Sequence, residues 1–295
     1  MHPLKVIKLI LFTILAIPII LHSLPYFQRP TRTPTKQTLS NGIQYDRIIW
    51  QQPRPVVLHL ATIDLTQSNL GILVSPSSPG PNNTAIKAMT TSEFLTHYQL
   101  QLAVNASFFY KFQEDSPWAY YPKSGDPVNV VGQTISSGKF YPNTASKLDW
   151  PIICFDRRNQ VQILPNPTCP KGIQQAVSGN EILLFDGKPL STKQAIDGDK
   201  PYARTVLAHD KLGKKLWIIV VDGKQPSYSE GVKLAELIPL LQSLGADRAI
   251  NLDGGGSTTM VAATSEGPKP LNAPIQNKIP MNQRPIANHI GFFTK

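Results

Sequence analysis

A run of glycines and hydroxyl residues carries the most distinctive chemistry of the sequence, Asp253-Gly254-Gly255-Gly256-Ser257-Thr258-Thr259. Glycines allow a backbone to approach a ligand closely and to turn successive amides towards it. The hydroxyl groups of Ser257 and Thr258 add donors, and Asp253 places a carboxylate beside them. The run therefore predicts an anion cradle next to an acid/base or hydroxyl-binding group, and the alternative is a tight turn with a structural aspartate. It lacks the ending of a nucleotide P-loop and the glycine spacing of a dinucleotide site.

A predicted helix and a predicted strand precede this loop in the chain and should fix its position. Apolar residues at helical spacing predict a helix from about Lys233 to Leu244, in which Pro239 removes a backbone donor and should kink the helix or confine its regular part. Gly245 follows as a stop signal. Arg248–Leu252 then reads as a short strand, so the loop should lie at a strand end.

The rest of the body reads as mixed α and β. We expect an α+β fold with a mixed, largely antiparallel sheet and a few helices, in a single domain behind an N-terminal hydrophobic segment. Thr91–Tyr98 is a predicted short helix, and the irregular residues 110–149 are expected to form one wall of a pocket. Runs of β-formers bounded by turn residues predict the strands Val56–Thr66, Gly71–Ser75, Gln101–Phe109, Ile152–Leu164 as a hairpin, Glu181–Phe185, Arg204–Ala208 and Leu216–Val221.

The net charge of +10 belongs mostly to the N-terminus. Residues 1–55 hold seven basic residues against one acidic residue, whereas residues 56–295 hold 22 against 18. The body is therefore only mildly basic, and it has no basic stripe interleaved with aromatic residues, so no nucleic-acid partner is expected. Composition excludes a collagen-like chain and argues against a disordered chain or a polytopic membrane protein.

Residues 1–24 have the shape of a secretory signal. Lys5 and Lys8 precede the apolar run Leu9–Leu21, which is short for a membrane span. No small-residue cleavage site follows, so a cleaved signal peptide and an uncleaved signal anchor both remain open. Either one predicts export to the periplasm or the extracellular space, with the membrane as partner of the N-terminal segment and residues 9–24 as the retained anchor. Residues 25–55, basic and rich in proline, read as a tether.

Cys154 and Cys169 are the two cysteines of the chain. In an exported protein they predict one disulfide across the hairpin region, and the alternative is two buried free thiols. The spacings typical of zinc sites are missing, so the sequence requires no cofactor. A divalent cation remains compatible with the sequence, because Asp and Asn oxygens bind hard cations without a fixed spacing.

Four blocks resemble the phosphodiester glycosidase family, in the family's order and over roughly residues 56–295. The longest block runs from Val220 to Met260 and includes the glycine-rich loop. We therefore expect residues 56–295 to form a phosphodiester glycosidase-like domain. The other three blocks are Asn105-Ala106-Ser107-Phe108-Phe109, which resembles the family's Asn-Gly-Gly-Phe-Phe, Arg204-Thr205, which resembles its Arg-Thr before a strand, and Gln283-Arg284-Pro285-Ile286-Ala287-Asn288, which resembles its C-terminal Glu-Arg motif.

The resemblance implies hydrolysis of a sugar linked through its anomeric carbon to a phosphodiester, in envelope or extracellular polysaccharide metabolism. The partner is then a sugar phosphate or a polysaccharide. The alternative is a non-catalytic carbohydrate- or phosphate-binding module, or a polysaccharide assembly module. The implied catalytic residues are Asp253, Asp222, Arg204, Asn105 and Glu230. The implied substrate- and phosphate-binding residues are Gly254, Gly255, Gly256, Ser257, Thr258 and Arg284.

Asp253 is expected to bind a sugar hydroxyl group or to act as an acid or base. Arg204 and the amides of the glycine-rich loop are expected to bind the phosphate and to stabilise its negative charge. Asp222 is the expected second carboxylate, and its alternative is a simple strand-end turn. Asn105 is expected to bond the substrate or, alternatively, its own loop backbone. The sequence departs from the family where Gln283 replaces an acidic residue, which removes a charge partner from Arg284. The further departures are Ala106 and Ser107 in place of glycines and Lys233 in place of a helix-capping Thr.

Overall fold

The computed structural model describes residues 24–77, 86–116, 118–141, 149–190 and 200–295. The proposed signal segment, residues 1–23, therefore lies outside the described residues. Among the described residues, α1 (Thr91–His97) and α2 (Leu234–Ser243) are the α-helices that pack on the sheets, and Gly255–Ser257 form a short 3-10 helix. The first strands are β1 (Thr35–Ser40), β2 (Ile43–Trp50), β3 (Val56–Asp64), β4 (Leu70–Val74), β5 (Ile86–Lys87), β6 (Leu102–Asn105), β7 (Phe109–Tyr110), β8 (Gln113–Glu114), β9 (Tyr120–Tyr121), β10 (Pro127–Val130), β11 (Thr134–Ser136) and β12 (Lys139–Phe140). The later strands are β13 (Ile152–Phe155), β14 (Val161–Leu164), β15 (Gln175–Ser178), β16 (Glu181–Phe185), β17 (Lys188–Pro189), β18 (Arg204–Asp210), β19 (Lys215–Val221), β20 (Ala246–Asn251), β21 (Met260–Thr264), β22 (Gly267–Pro270), β23 (Ile275–Gln276), β24 (Ile279–Pro280) and β25 (His289–Thr294).

These strands form an α+β fold built on antiparallel sheets, as expected. The largest sheet has eight strands in the order β1-β2-β3-β19-β18-β20-β16-β17. Two five-stranded sheets have the orders β22-β21-β6-β25-β4 and β12-β11-β15-β13-β14. Shorter sheets contain β5-β10-β7, β23-β24 and β8-β9. Every strand pairing within the described residues is antiparallel.

The main core lies between the large sheet and the two five-stranded sheets. Ile63 and Ile218 of the large sheet pack in one cluster with Val104 and Phe292 of one smaller sheet and Ile153 of the other. Strands in the middle of such a stack are covered on both faces, which explains their nearly continuous apolar runs. Burial of this apolar surface is the main force that fixes the sheets to each other.

The two helices cover the outer faces of the sheets. Leu237 and Leu241 of α2 pack against the large sheet in a second cluster. Phe94 and Leu95 of α1 pack against Ala103 of β6. Both helices match the predicted segments closely, and α2 continues through Pro239. At the start of α2, the Glu236 carboxylate accepts a hydrogen bond from the Lys233 backbone amide at 2.7 Å.

The tether prediction is wrong for residues 35–50, because they form β1 and β2 of the large sheet. β2 pairs with β3 along its whole length, from Ile43↔Ile63 to Trp50↔Val56. Ile43 and Tyr45 are fully buried in the main core. The alternation of apolar and polar residues in this stretch was a strand signal, and the prolines that suggested a tether all lie outside it, at Pro25, Pro30, Pro34, Pro53 and Pro55. The folded body therefore begins before residue 56.

Cys154 and Cys169 form a disulfide, with their Cα atoms 6.0 Å apart, as the sequence predicted. Cys154 lies in β13, so the bond closes a loop across the hairpin of β13 and β14. Within the described residues, no helix has both the length and the apolar content needed to cross a membrane.

Candidate active site

The glycine-rich loop begins where the large sheet and a smaller sheet meet. The Leu252 amide donates to the Thr205 carbonyl of β18 at 2.8 Å, and the Asp253 amide donates to the Ala106 carbonyl after β6 at 3.0 Å. From below, the Asn105 side-chain amide donates to the Asp253 carbonyl at 2.6 Å. Asp253 is therefore held from both sheets, which fixes the direction of its side chain.

The glycines of the loop are required by close packing. Gly255 has φ +62°, and a Cβ at this residue would lie 2.6 Å from the Tyr202 ring. At Gly256 a Cβ would lie 2.4 Å from the Arg284 guanidinium. Any side chain at these two residues would push the tyrosine or the arginine out of place.

Two of the glycine amides donate hydrogen bonds to other groups of the protein, although they were predicted to bind an anion. The Gly254 amide donates to Asp253 Oδ1 at 2.8 Å, and the Gly255 amide donates to the Ala203 carbonyl at 2.9 Å. These two amides were expected to face an anion. In the structure they instead hold the Asp253 carboxylate and the backbone next to it.

A cavity of about 250 Å³ opens beside Asp253. A larger cavity of about 520 Å³ lies elsewhere, beside α1, and contains none of the predicted site residues. Of the predicted residues, Asp253, Gly254, Arg204 and Arg284 line the smaller cavity. Its complete lining is Phe108, Phe109, Phe112, Asn180, Tyr202, Arg204, Asn251, Leu252, Asp253, Gly254 and Arg284.

Burial raises the pKa of the Asp253 carboxyl group to about 6. The Ser257 hydroxyl bond, the positive charge of Arg284 and the Gly254 amide each favour the carboxylate and limit this rise, and Lys224 adds a weaker effect. The side chain keeps a partly exposed edge towards the cavity. Asp253 is therefore poised to exchange a proton near neutral pH, which is typical of catalytic acids and bases.

Arg284 lines the cavity, and three other side chains hold its guanidinium group. Its Nε donates to Gln276 Oε1 at 2.7 Å, one terminal nitrogen donates to Ser257 Oγ at 3.4 Å, and the other is paired with Glu114. Its guanidinium carbon lies 5.1 Å from the centre of the Phe112 ring. Glu114 thus supplies the acidic partner that the sequence appeared to lack at residue 283.

Gln283 has a different task. Its side-chain amide donates to Ser92 Oγ at 2.7 Å and accepts from the Ser92 amide at 3.0 Å. This exchange of bonds anchors the segment before Arg284 to the first turn of α1. The replacement of an acidic residue at this position therefore leaves Arg284 with a charged partner and with a fixed backbone.

Two further cations lie on another side of the cavity, around the Tyr202 ring. The guanidinium carbon of Arg204 lies 5.7 Å from the ring centre, and the Lys224 ammonium lies 4.4 Å from it. Arg204 also donates to the Val232 carbonyl at 3.3 Å and to the Lys200 carbonyl at 3.1 Å. This side can attract an anion, and sequence reasoning missed both Tyr202 and Lys224.

Asn105 lies beneath the site rather than in the cavity. Its side chain is fully buried, and its Oδ1 accepts from Thr205 Oγ1 at 2.8 Å and from the Thr259 amide at 3.1 Å. Together with its bond to the Asp253 carbonyl, these contacts occupy the amide with its own surroundings. The structure thus corresponds to the alternative in which Asn105 bonds the local backbone.

The structure also keeps Asp222 away from the cavity. Asp222 is 1% exposed, and its Oδ2 lies 3.0 Å from His59 Nε2. Its Oδ1 accepts from Asn272 Nδ2 at 3.0 Å and from the Ala273 amide at 2.9 Å. The expectation of a second carboxylate beside Asp253 is therefore not met by Asp222, because its oxygens are used inside the fold.

Glu230 is exposed and does not line the cavity. Ser257 and Thr258 are buried, each 1% exposed, and support the loop from within. Ser257 reaches the site through its bonds to Asp253 and Arg284, whereas Thr258 Oγ1 is buried and has no hydrogen-bond partner among the residues that the structure describes.

Two asparagines of the cavity, Asn180 and Asn251, were also missed. Asn251 precedes Asp253 by two residues at the end of an extended strand, and such residues point to the same side of a strand. This spacing was a readable signal. Asn180 gave none, since it reaches the cavity from the turn between β15 and β16. Residues 110–149 contribute Phe112 to the cavity lining, while residues 117 and 142–148 lie outside the described residues.

No group of three or more His, Cys, Asp or Glu side chains arranged to hold a metal ion occurs among the described residues. The oxygens of Asp253 are engaged by hydrogen-bond donors and lie near cations, which is a poor environment for a second cation. The cavity instead combines one carboxylate, two amides, three cations in or near its wall and several aromatic rings.

Comparison with known proteins gives one family. A family model described as phosphodiester glycosidase matches residues 98–293. No curated protein matches the chain at a significant level.

Solved structures share the fold at low sequence identity. The catalytic domain of zebrafish N-acetylglucosamine-1-phosphodiester alpha-N-acetylglucosaminidase, auto-inhibited by its pro-peptide, has a TM-score of 0.62 and 21% identity, over 93% of this chain and 94% of that one. A hypothetical protein from Synechocystis has a TM-score of 0.64 and 13% identity, over 89% of this chain and 64% of that one. A putative exported protein from Burkholderia pseudomallei has a TM-score of 0.57 and 14% identity, over 81% and 74%.

Proposed function

The chain belongs to the phosphodiester glycosidase family, and we propose that it hydrolyses the bond between the anomeric carbon of a sugar and a phosphodiester oxygen. The products are a free sugar and a phosphate monoester. The observation that carries the proposal is Asp253, a carboxyl group with a pKa of about 6 at a cavity of about 250 Å³. This volume is small for a ligand pocket, which typically measures roughly 300–1,000 Å³, and suits one sugar unit with its phosphate.

In this reaction, water attacks the anomeric carbon while the bond from that carbon to the phosphate oxygen breaks. The electron pair of the broken bond leaves with the phosphate, which is stable as an anion and needs no protonation to depart. Asp253 in its ionised form accepts the proton of the attacking water and faces the positive charge that develops on the sugar ring. Its pKa of about 6 keeps it mostly ionised at neutral pH and still basic enough for this role.

The cationic side of the cavity then receives the phosphate. Arg204 and Arg284 both line the cavity, and the Lys224 ammonium lies 4.4 Å from the centre of the Tyr202 ring, beside Arg204. Guanidinium groups bind phosphate oxygens with two parallel hydrogen bonds and retain their charge at any physiological pH. The same cations stabilise the phosphate as its charge grows during departure.

The type of bond that is cleaved is inferred from the family. The zebrafish relative carries in its name an N-acetylglucosamine 1-phosphodiester, and we extend the bond type, sugar C1 to phosphodiester, to this chain. At 21% identity the particular sugar and the group on the other side of the phosphate are to be found by experiment.

We further propose that the chain acts after export, on an envelope or extracellular polysaccharide, with residues 9–24 as anchor where the segment is retained. Three observations support export: the signal-like N-terminal sequence, the disulfide between Cys154 and Cys169, and the likeness to a putative exported protein. Disulfides persist mainly in oxidising compartments outside the cytoplasm.

The test is hydrolysis by the purified full-length chain of methyl phosphodiesters of glucose, galactose, mannose and N-acetylglucosamine, each linked through C1. Release of free sugar together with methyl phosphate is expected for at least one of them. Asp253→Asn should lower kcat by about 10²–10⁴-fold, the usual contribution of a general base. Asp46→Asn, at the Lys36 ion pair of the β1–β2 hairpin, is the matched control and should leave kcat unchanged.

Circular dichroism of both variants checks that the fold is intact. A folded Asp253→Asn chain with full activity would remove Asp253 from the chemistry. A wild-type chain that binds these compounds without releasing sugar would instead identify the alternative, a non-catalytic binding module.

A further inference from the structure

A pair of asparagines forms the wall of the cavity next to Asp253. Asn251 ends β20 and is 2% exposed, and its Nδ2 donates to Asn180 Oδ1 at 2.7 Å. Both residues line the cavity. The remaining amide oxygen, Asn251 Oδ1, is buried and has no hydrogen-bond partner in the described part of the protein.

The backbone is built to bring these two amides together. The Asn180 amide donates to the Asn251 carbonyl at 3.1 Å, which binds the β15–β16 turn to the end of β20. The preceding Gly179 permits this approach, because a Cβ there would lie only 2.2 Å from the Asn251 carbonyl oxygen. Any other residue at position 179 would separate the pair, so the arrangement depends on a specific glycine.

An unpartnered acceptor on a residue that lines a cavity favours a ligand that can donate a hydrogen bond to it. Buried polar groups in native proteins nearly always have a partner, and the exceptions are often completed by a ligand or by water. Asn251 Oδ1 accepts hydrogen bonds and would repel the oxygens of an ionised phosphodiester, which has no proton to donate. A sugar hydroxyl can donate to Asn251 Oδ1, and Asp253, two residues further along, offers acceptors on the same side of the chain.

We infer that the Asn180–Asn251 pair binds hydroxyl groups of the sugar ring and thereby orients the substrate. The sugar lies against the two asparagines, and the phosphate lies against the cations around Tyr202, with Asp253 between them. This inference rests on the proposed function for the identity of the ligand as a sugar. It assigns sugar selectivity to Asn251 and places Asn180 as its support.

The test measures binding, so that it does not depend on hydrolysis. Wild type, Asn251→Leu and Asn180→Ala are titrated by ligand-observed NMR with glucose, galactose, mannose and N-acetylglucosamine, and separately with dimethyl phosphate. Asn251→Leu is close in size and removes both polar atoms, while Asn180→Ala changes an exposed side chain and leaves Asn251 in place. Asn41→Ala, in the exposed β1–β2 turn, is the matched control.

Asn251→Leu should weaken the tightest sugar by about tenfold, as expected for the loss of a hydrogen bond to a buried acceptor. Asn180→Ala should weaken it by a smaller factor of about three, because it frees Asn251 without removing it. Dimethyl phosphate affinity should change less than twofold in both variants, and Asn41→Ala should resemble wild type throughout.

The inference is overturned if wild type binds none of the sugars, or if Asn251→Leu retains wild-type sugar affinity while remaining folded by circular dichroism. Failure of the proposed function gives a different result, namely Asn251-dependent sugar binding without hydrolysis. Conversely, hydrolysis with an unchanged KM in Asn251→Leu would retain the function and reject the sugar-binding pair.

Discussion

Two aspartates that look alike in the sequence have opposite surroundings in the fold. Asp222 and Asp253 each follow a buried strand and precede a glycine. Asp222 lies in a closed polar network, where His59, Asn272 and the Ala273 amide occupy its oxygens. Asp253 lies at a cavity, where burial raises its pKa to about 6 and one edge remains partly exposed.

The difference shows how the fold divides structural from chemical work. The Asp222 network continues on both sides, with Tyr45 Oη 2.8 Å from His59 Nδ1 and with Asn272 bound to the Thr258 carbonyl and the Met260 amide. These last two bonds fix the end of the glycine-rich loop whose start is Asp253. Asp222, whose oxygens all accept hydrogen bonds inside the fold, therefore stabilises the loop. Asp253, which is partly exposed at the cavity, is available for a reaction.

The largest expected effect is on the stability of the Asp222 network. Asp222→Ala should lower the free energy of unfolding by about 3–5 kcal/mol, because it leaves His59, Asn272 and the Ala273 amide without their buried acceptor. Urea unfolding, compared with Asp46→Asn, measures the change. If the free energy of unfolding falls by less than about 1 kcal/mol, the hydrogen bonds of Asp222 do not stabilise the fold, and the two aspartates do not differ in the way described above.

Asp253→Asn should instead stabilise the protein, and by a smaller amount. The pKa of Asp253 is raised from 3.8 to about 6 in the folded chain, so the folded state binds its proton more tightly than the unfolded state. The wild type therefore loses stability as pH rises from about 4 to about 6, by about 3 kcal/mol, and the variant does not.

Thermal or urea unfolding of both chains at pH 4 and pH 7.5 checks this prediction. We expect wild type and Asp253→Asn to be equally stable at pH 4 and the variant to be the more stable chain at pH 7.5. Such a gain is typical of substitutions at active-site residues, which often reduce stability in the wild type. A variant that is less stable at pH 7.5 would mean that Asp253, like Asp222, is held mainly for structure.

The smallest effect expected is in the pH profile of wild-type hydrolysis. If Asp253 acts as a base, kcat/KM should fall below pH 6, approaching about tenfold per pH unit, because only the ionised form is active. Initial rates from pH 4 to pH 8, with substrate well below KM, locate the midpoint. A rate that rises as pH falls would assign Asp253 to the acid role instead, and a midpoint near 4 would show that burial does not affect it.

Much of the fold was readable from local pattern. The helix around Leu237, the strand ending at Val221 and the β13–β14 hairpin are confirmed, because apolar period and turn residues are local properties. The prediction for residues 35–50 was wrong, since the prolines and basic residues on either side of them resembled a linker, while the partner strand that buries Ile43 lies further along the chain.

The site was only partly predictable for the same reason. The glycine-rich loop identified Asp253, and the resemblance to a family pointed to Arg204 and Arg284, all of which line one cavity. Glu114 and Asn180 reach the site from short strands and turns with no distinctive pattern, so no local signal indicated them. Asp222 was given a catalytic role because a strand-end aspartate has the same sequence context whether it faces a cavity or a core.

The sequence by itself determined the family, the α+β class and the loop that must carry the chemistry. These depend on residue types and on spacing along the chain, which a sequence states directly. Only the tertiary structure decided which carboxylate lies in a closed polar network and which faces a cavity. It also placed Asn251, whose Oδ1 has no hydrogen-bond partner among the described residues, in the cavity wall with Asp253. Burial and hydrogen bonding depend on residues far apart in the chain, as in the contact between Asn105 and Asp253, 148 residues apart.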